Sequence, residues 1–70
     1  MSYQKVESFI GVVKRIAGDT SDSVPGRMAR LVLVEPSIAE GVRRGGLTRA
    51  EATRIKTFSR VAFQLLKESA

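Results

Sequence analysis

The chain has neither cysteine nor histidine among its 70 residues. The first absence excludes disulfides and thiolate metal sites. The second excludes imidazole ligands and histidine-based acid–base chemistry. Aromatics are few, one Tyr and three Phe with no Trp. None alternates with the basic residues, which argues against a stacking platform for single strands. No apolar run approaches the length of a membrane span, and Met1-Ser2-Tyr3-Gln4-Lys5 has no apolar stretch of signal-peptide type. The expectation is a cytoplasmic protein with no membrane insertion. No repeat, low-complexity tract or linker divides the sequence, so residues 1–70 read as a single small helical domain. At this size the fraction of surface buried on folding is low. A staple-free domain this small is expected to gain stability by self-association, most simply as a homodimer.

Charge is what the chain has in excess. Twelve Lys/Arg against seven Asp/Glu give a net charge of +5. That balance suits nucleic acid, an anionic membrane surface or an acidic protein partner, and does not choose among them.

The strongest local signal is the last third. Gly45 and Gly46 suit a chain leaving one helix and turning into another. Thr48 followed by Glu51 has the capping-box spacing. The helix then runs on to the end. Ala52, Ile55, Ala62 and Leu66 share one face, flanked by Phe58 and Leu65 on one side and Phe63 on the other. On the polar side Arg49, Lys56, Arg60 and Lys67 fall within a narrow wedge beside Thr53. This stripe is about 27 Å long at 1.5 Å per residue. A solvated helix face explains it without function. The absence of acids within it supports a phosphate- or acid-binding ridge.

Earlier segments read as shorter helices. Residues 2–17 place Val6, Phe9, Ile10, Val13, Ile16 and Ala17 on one face, with Ser2 as cap and Tyr3 at the edge. Gly18 is the natural stop. Asp19, Ser21 and Ser23 alternate like the opening of a calcium loop. Val24 stands where that loop needs Gly, and Arg30 where it needs a bidentate Glu, so the motif fails. The loop is read instead as a turn ending in an N-cap at Asp22 or Ser23, ahead of Pro25. In residues 24–34, Val24, Met28, Leu31 and Val32 fit a helix face. Leu31-Val32-Leu33-Val34 is apolar on every side, so a short buried strand competes. If helical, Leu33 and Val34 need cover, and they are the candidate interface. Pro36 predicts a break at Glu35 and then a short helix to Arg44 carrying Ile38 and Val42.

The fold expected is therefore all-α: three main helices plus a short one, with a candidate helix-turn-helix at 36–60. Two helices joined by a glycine turn give that outline. Gly46, Leu47, Thr48, Ala52 and Ile55 supply the turn glycine, buried apolar residue, cap, small buried residue and second apolar residue. Arg49, Thr53 and Arg54 would then reach bases or phosphates, and Lys56 and Arg60 the backbone. Gly41 and Gly45 depart from the pattern, since both fall where apolar residues are usual. Arg27, Arg30, Arg43 and Arg44 could widen the basic surface.

Catalytic signals are missing. Glu35 and Glu40 flank a proline without acid–base spacing. Ser21, Ser23 and Ser59 have no base. No phosphate loop is present. The expectation is a binding protein with no enzymatic role, metal or cofactor. DNA binding of transcription-regulator type comes first. A homodimeric inhibitor or adaptor that docks on a larger protein comes second. Adsorption to an anionic membrane comes last, because the apolar face of the last helix is needed as core.

Overall fold

The computed structural model describes the backbone of residues 2–69 and the side chains of residues 5–69. The expected roles of Ser2 and Tyr3 fall on side chains outside that set. Four helical segments follow one another: α1 (Ser2–Ala17), α2 (Val24–Val32), α3 (Val34–Arg43) and α4 (Arg49–Ser69). Of the described residues 82% are helical and none lies in a strand. The 31–34 run is thus helical on both sides of a bend, and the competing strand is not formed.

Segments α2 and α3 are two halves of one bent helix. Leu33 joins them and keeps right-handed helical dihedrals, φ −69° and ψ −14°. The break therefore lies at Leu33 and not, as expected, at Glu35. Proline explains the offset. Its ring collides with the carbonyl four residues back, here that of Val32. The first half must end there. Pro36 then sits in the first turn of α3, where its missing N–H has no intrahelical partner to lose.

Side-chain contacts give the path of the chain. Arg27 Nη1 donates to the carbonyl of Ala17 at 2.9 Å, which ties the start of α2 to the end of α1. Leu31 and Val32 share a cleft with Ser59 and Phe63 of α4. Further along the bent helix, Ala39 and Val42 lie beside Arg49 and Ala52. The bent helix therefore runs antiparallel to α4. Helix α1 runs parallel to α4: Lys5 and Phe9 share a cleft with Gly46 and Leu47. Further up, the Lys14 ammonium lies 5.9 Å from the Phe58 ring centroid. The result is a three-helix bundle of 36 × 15 × 15 Å.

The core takes one fully buried aliphatic from each segment: Val13, Leu31, Ile38 and Ile55. Each contributes about 1.5–3 kcal/mol by leaving water. Val6, Ile16, Val34, Leu47, Ala52 and Leu66 complete it. Two positions differ from the apolar pattern. Leu65 is 61% exposed and Ser59 only 5%. By helical rotation Ser59 points into the middle of the core-facing arc, between Ala52 and Leu66, whereas Leu65 lies past its edge.

Each joint has its own mechanism. At the first, Ser23 and not Asp22 caps α2, its Oγ accepting from the Gly26 N–H at 3.0 Å. At the α3–α4 turn the chain closes on itself. Gly46 N–H donates to the Gly41 carbonyl at 2.9 Å and Gly45 N–H to that of Val42 at 3.0 Å. This is the paired bonding of a Schellman motif. Gly45 takes the left-handed φ of +77° that the motif requires. Gly41 serves packing: a Cβ there would stand 2.7 Å from Leu47 Cδ1, so its bare backbone is what admits Leu47. The capping box then starts α4, with Thr48 N–H donating to Glu51 Oε1 at 2.8 Å and Glu51 N–H to Thr48 Oγ1 at 3.1 Å.

Candidate nucleic-acid interface

The capping box and the Gly41–Leu47 contact orient the first two turns of α4 against α3. Between them lies a shallow groove of about 370 Å³, lined by Ala39, Val42, Arg49, Ala52, Thr53 and Lys56. Arg49, Thr53 and Lys56 are thus brought together, with an apolar floor beneath two cations. Among the described residues no acidic group pairs with Arg49 or Lys56. Thr53 turns its hydroxyl inward and donates to the Arg49 carbonyl at 2.9 Å. Its donor is used on the backbone, so Thr53 spaces the cations and offers a ligand only acceptor character.

The other two residues stand apart from this group. Arg60 continues the stripe, but its Nε lies 3.8 Å from Glu35 Oε1. Arg54 is exposed and lies about 140° round the helix from Arg49, at 100° per residue. One face therefore cannot use Arg54 with Arg49, Lys56 and Arg60.

The wider basic surface does not assemble. Arg30 Nη1 is held by Asp19 at 3.0 Å and Asp22 at 3.3 Å. Arg27 is half-buried on the Ala17 carbonyl. Arg43 and Arg44 both reach Glu40, Arg44 through Nε at 2.9 Å. Sequence reading missed this internal pairing of charge. Its one visible signal was the Glu40-Arg43-Arg44 spacing of three and four residues.

The geometry also separates the α3–α4 unit from a helix-turn-helix. In that motif the helices cross at about 90–120°. Here α3 runs back along α4, from Ala39 and Val42 beside Arg49 and Ala52 to Glu35 beside Arg60. The unit is an antiparallel helical hairpin.

Neither a protein-family model, a curated protein nor a solved structure matches the chain. The chemistry of the surface is therefore what bears on function. No helix among the described residues is long and apolar enough to cross a membrane.

The interface expected at Leu33 and Val34 is redistributed by the bend. Val34 is 7% exposed and belongs to the core. Leu33 is 68% exposed and its exposed neighbour is Val32, at 54%. Within a helix, residues three apart share a face, so burying Leu31 and Val34 turns the two between them outward.

Proposed function

We propose that the protein is a polyanion-binding module whose ligand is double-stranded DNA, engaged through phosphates by the Arg49–Lys56 face of α4. The observation that carries this reading is the pair of cations without acidic partners, Arg49 and Lys56, set over the apolar floor of the α3–α4 groove. Duplex DNA presents one charge per about 1.7 Å of axis, so a basic stripe about 27 Å long meets many phosphates without reading bases. Since α4 is flanked by α1 and the bent helix, the reading favours sequence-tolerant contact over the operator recognition of a helix-turn-helix regulator. A cytoplasmic, non-enzymatic role belongs to the same proposal. Of the serines, Ser59 is buried in the core, Ser23 caps α2 and Ser21 bonds to Asp19.

The test is fluorescence anisotropy of a random-sequence duplex at about 50 and about 200 mM salt. Three phosphate contacts give a slope of log affinity against log salt near about −2.7, hence a loss of about 40-fold across that range. Arg49→Ala and Lys56→Ala are each expected to weaken binding and to flatten the slope by about one. Arg54→Ala should leave both unchanged. Affinity independent of salt, or none at about 50 mM, removes the reading.

The second reading is a protein-binding inhibitor or adaptor, favoured by the exposed Val32–Leu33 pair. It predicts capture of a protein target that Leu33→Asp abolishes and Lys56→Ala spares.

A further inference from the structure

Helix α4 carries a second apolar face that its own chain leaves uncovered. Its core-facing arc holds Ala52, Ile55, Ser59 and Leu66. Val61 and Leu65 lie outside that arc and are 55% and 61% exposed. They are not scattered. Arg54, Phe58, Val61, Leu65 and Glu68 follow one another at intervals of four, three, four and three residues. That is the repeat of a coiled-coil seam, which keeps one stripe of a helix against a neighbour along its length. Half-buried Phe58, with the Lys14 ammonium beside its ring, joins the seam to the core. Only the ends of the seam are charged, and with opposite signs: Arg54 towards the α3–α4 turn, Glu68 towards the other end. Thr57 and Gln64, which border it on the side away from the core, are uncharged and exposed. Among the described residues Arg54 has no acidic partner. The Glu68 carboxylate accepts only from the Gln64 amide, at 3.3 Å.

We propose that this stripe is the seam of an antiparallel homodimer, in which α4 packs along α4 of a second copy about a two-fold axis at Val61. The charge pattern decides both occupant and direction. A two-fold axis sets a surface against its own copy. Val61 stands midway between the charged ends, seven residues from each. Run antiparallel about Val61, the seam sets Arg54 of each chain beside Glu68 of the other and Phe58 against Leu65. Run parallel, it would set like charge against like at both ends. Exposed ion pairs add little affinity. They fix direction and register, while Phe58, Val61 and Leu65 supply the apolar burial. Arg54→Ala alone therefore leaves the dimer assembled. The seam points about 140° round α4 from the Arg49–Lys56 face at 100° per residue, so both surfaces can operate at once. The proposal is independent of DNA binding and is tested without DNA.

The experiment is sedimentation equilibrium over a wide concentration range, then cysteine cross-linking in a chain that has no cysteine of its own. The wild type is expected at twice its 7.6 kDa chain mass. Leu65→Asp should sediment as a monomer. Leu33→Asp, in the other exposed apolar patch, should remain a dimer. Both side chains are exposed, so helix content by circular dichroism should be unchanged in each. Mild oxidation then reads direction and register. A disulfide needs Cα atoms within about 7 Å. Val61→Cys sits at the axis and should link to its own copy. Two copies of Arg54→Cys stand about 21 Å apart along an antiparallel seam, so that variant should not link to itself, and neither should Glu68→Cys. Mixed, the two should link to each other. A wild-type monomer, a Leu65→Asp dimer, a Leu33→Asp monomer or self-linking by Arg54→Cys would each overturn the proposal.

Discussion

The two ends of the bundle solve the same problem with different materials. At the α1–α2 loop the joint is made of charge. Asp19 and Asp22 hold Arg30, Ser21 bonds to Asp19, and Arg27 binds the end of α1. At the α3–α4 turn it is made of backbone and apolar packing: two bonds from Gly45 and Gly46, the capping box, and Leu47 seated on Gly41. The first arrangement occupies Arg27 and Arg30, and beside the second Arg43 and Arg44 share Glu40. The second leaves Arg49 and Lys56 facing solvent. A joint that does not depend on charge is therefore the one beside which charge can act on a partner.

The largest effect expected on this contrast comes from Leu47→Ala. Leu47 is 4% exposed and fastens the turn to α3. Truncating a buried leucine costs about 2–5 kcal/mol. A 70-residue domain has a total stability of about 4–10 kcal/mol at typical per-residue values. A large fall in the urea midpoint is expected, with the slope unchanged if unfolding stays two-state. A cost no greater than that of Asp19→Asn would end the distinction between the two joints.

Gly45→Ala comes next. A side chain at φ +77° is strained by about 1–2 kcal/mol whatever the surrounding space, and here that space is open. The midpoint should fall by a fraction of the Leu47→Ala shift. DNA affinity per folded molecule should be unchanged, because Arg49 and Lys56 are placed by the capping box and not by Gly45. A change in salt slope would mean that the turn conformation itself sets the cation spacing.

The parts of this molecule legible in its sequence are those governed by local chemistry. Thr48 and Glu51 lie three residues apart and bond as that spacing requires. Gly45 and Gly46 end a helix for reasons internal to four residues. The helical faces of α1 and α4 follow from periodicity. The bend is displaced from its expected place because Pro36 acts on the carbonyl four residues behind it, and not only on the residue immediately before it. That displacement also moves Val34 from surface to core and brings Val32 out. The crossing of α3 over α4 was not legible. Glycine turn, cap and small buried residue are common to a helix-turn-helix and an antiparallel hairpin. The packing of α1 along α4, far away in sequence, decides between them. The pairing of Arg30 with Asp19 spans 11 residues and likewise needs the loop to be folded first.

The smallest effect is the most diagnostic, because it depends on pH. The Asp19 carboxyl is held below its ordinary value of 3.8, first by the Ser21 hydroxyl, then by hydrogen bonding to Arg30 and to the Ser21 backbone. A carboxylate whose value is depressed on folding adds stability above its unfolded value, and loses it as pH falls through the folded one. Asp19→Asn should therefore melt below the wild type at neutral pH. The gap should persist down to about pH 4 and close below it, as Asp19 takes up its proton. Salt should narrow the gap at neutral pH, since the group is exposed and screened. The gap between wild type and Gly45→Ala should do neither, because backbone strain has no proton to lose. Melting temperatures of the three proteins from pH 7 to pH 2 check this directly. Parallel curves for both variants would mean that the α1–α2 loop is held by its backbone after all, and that Arg30 is as available to a partner as Arg49.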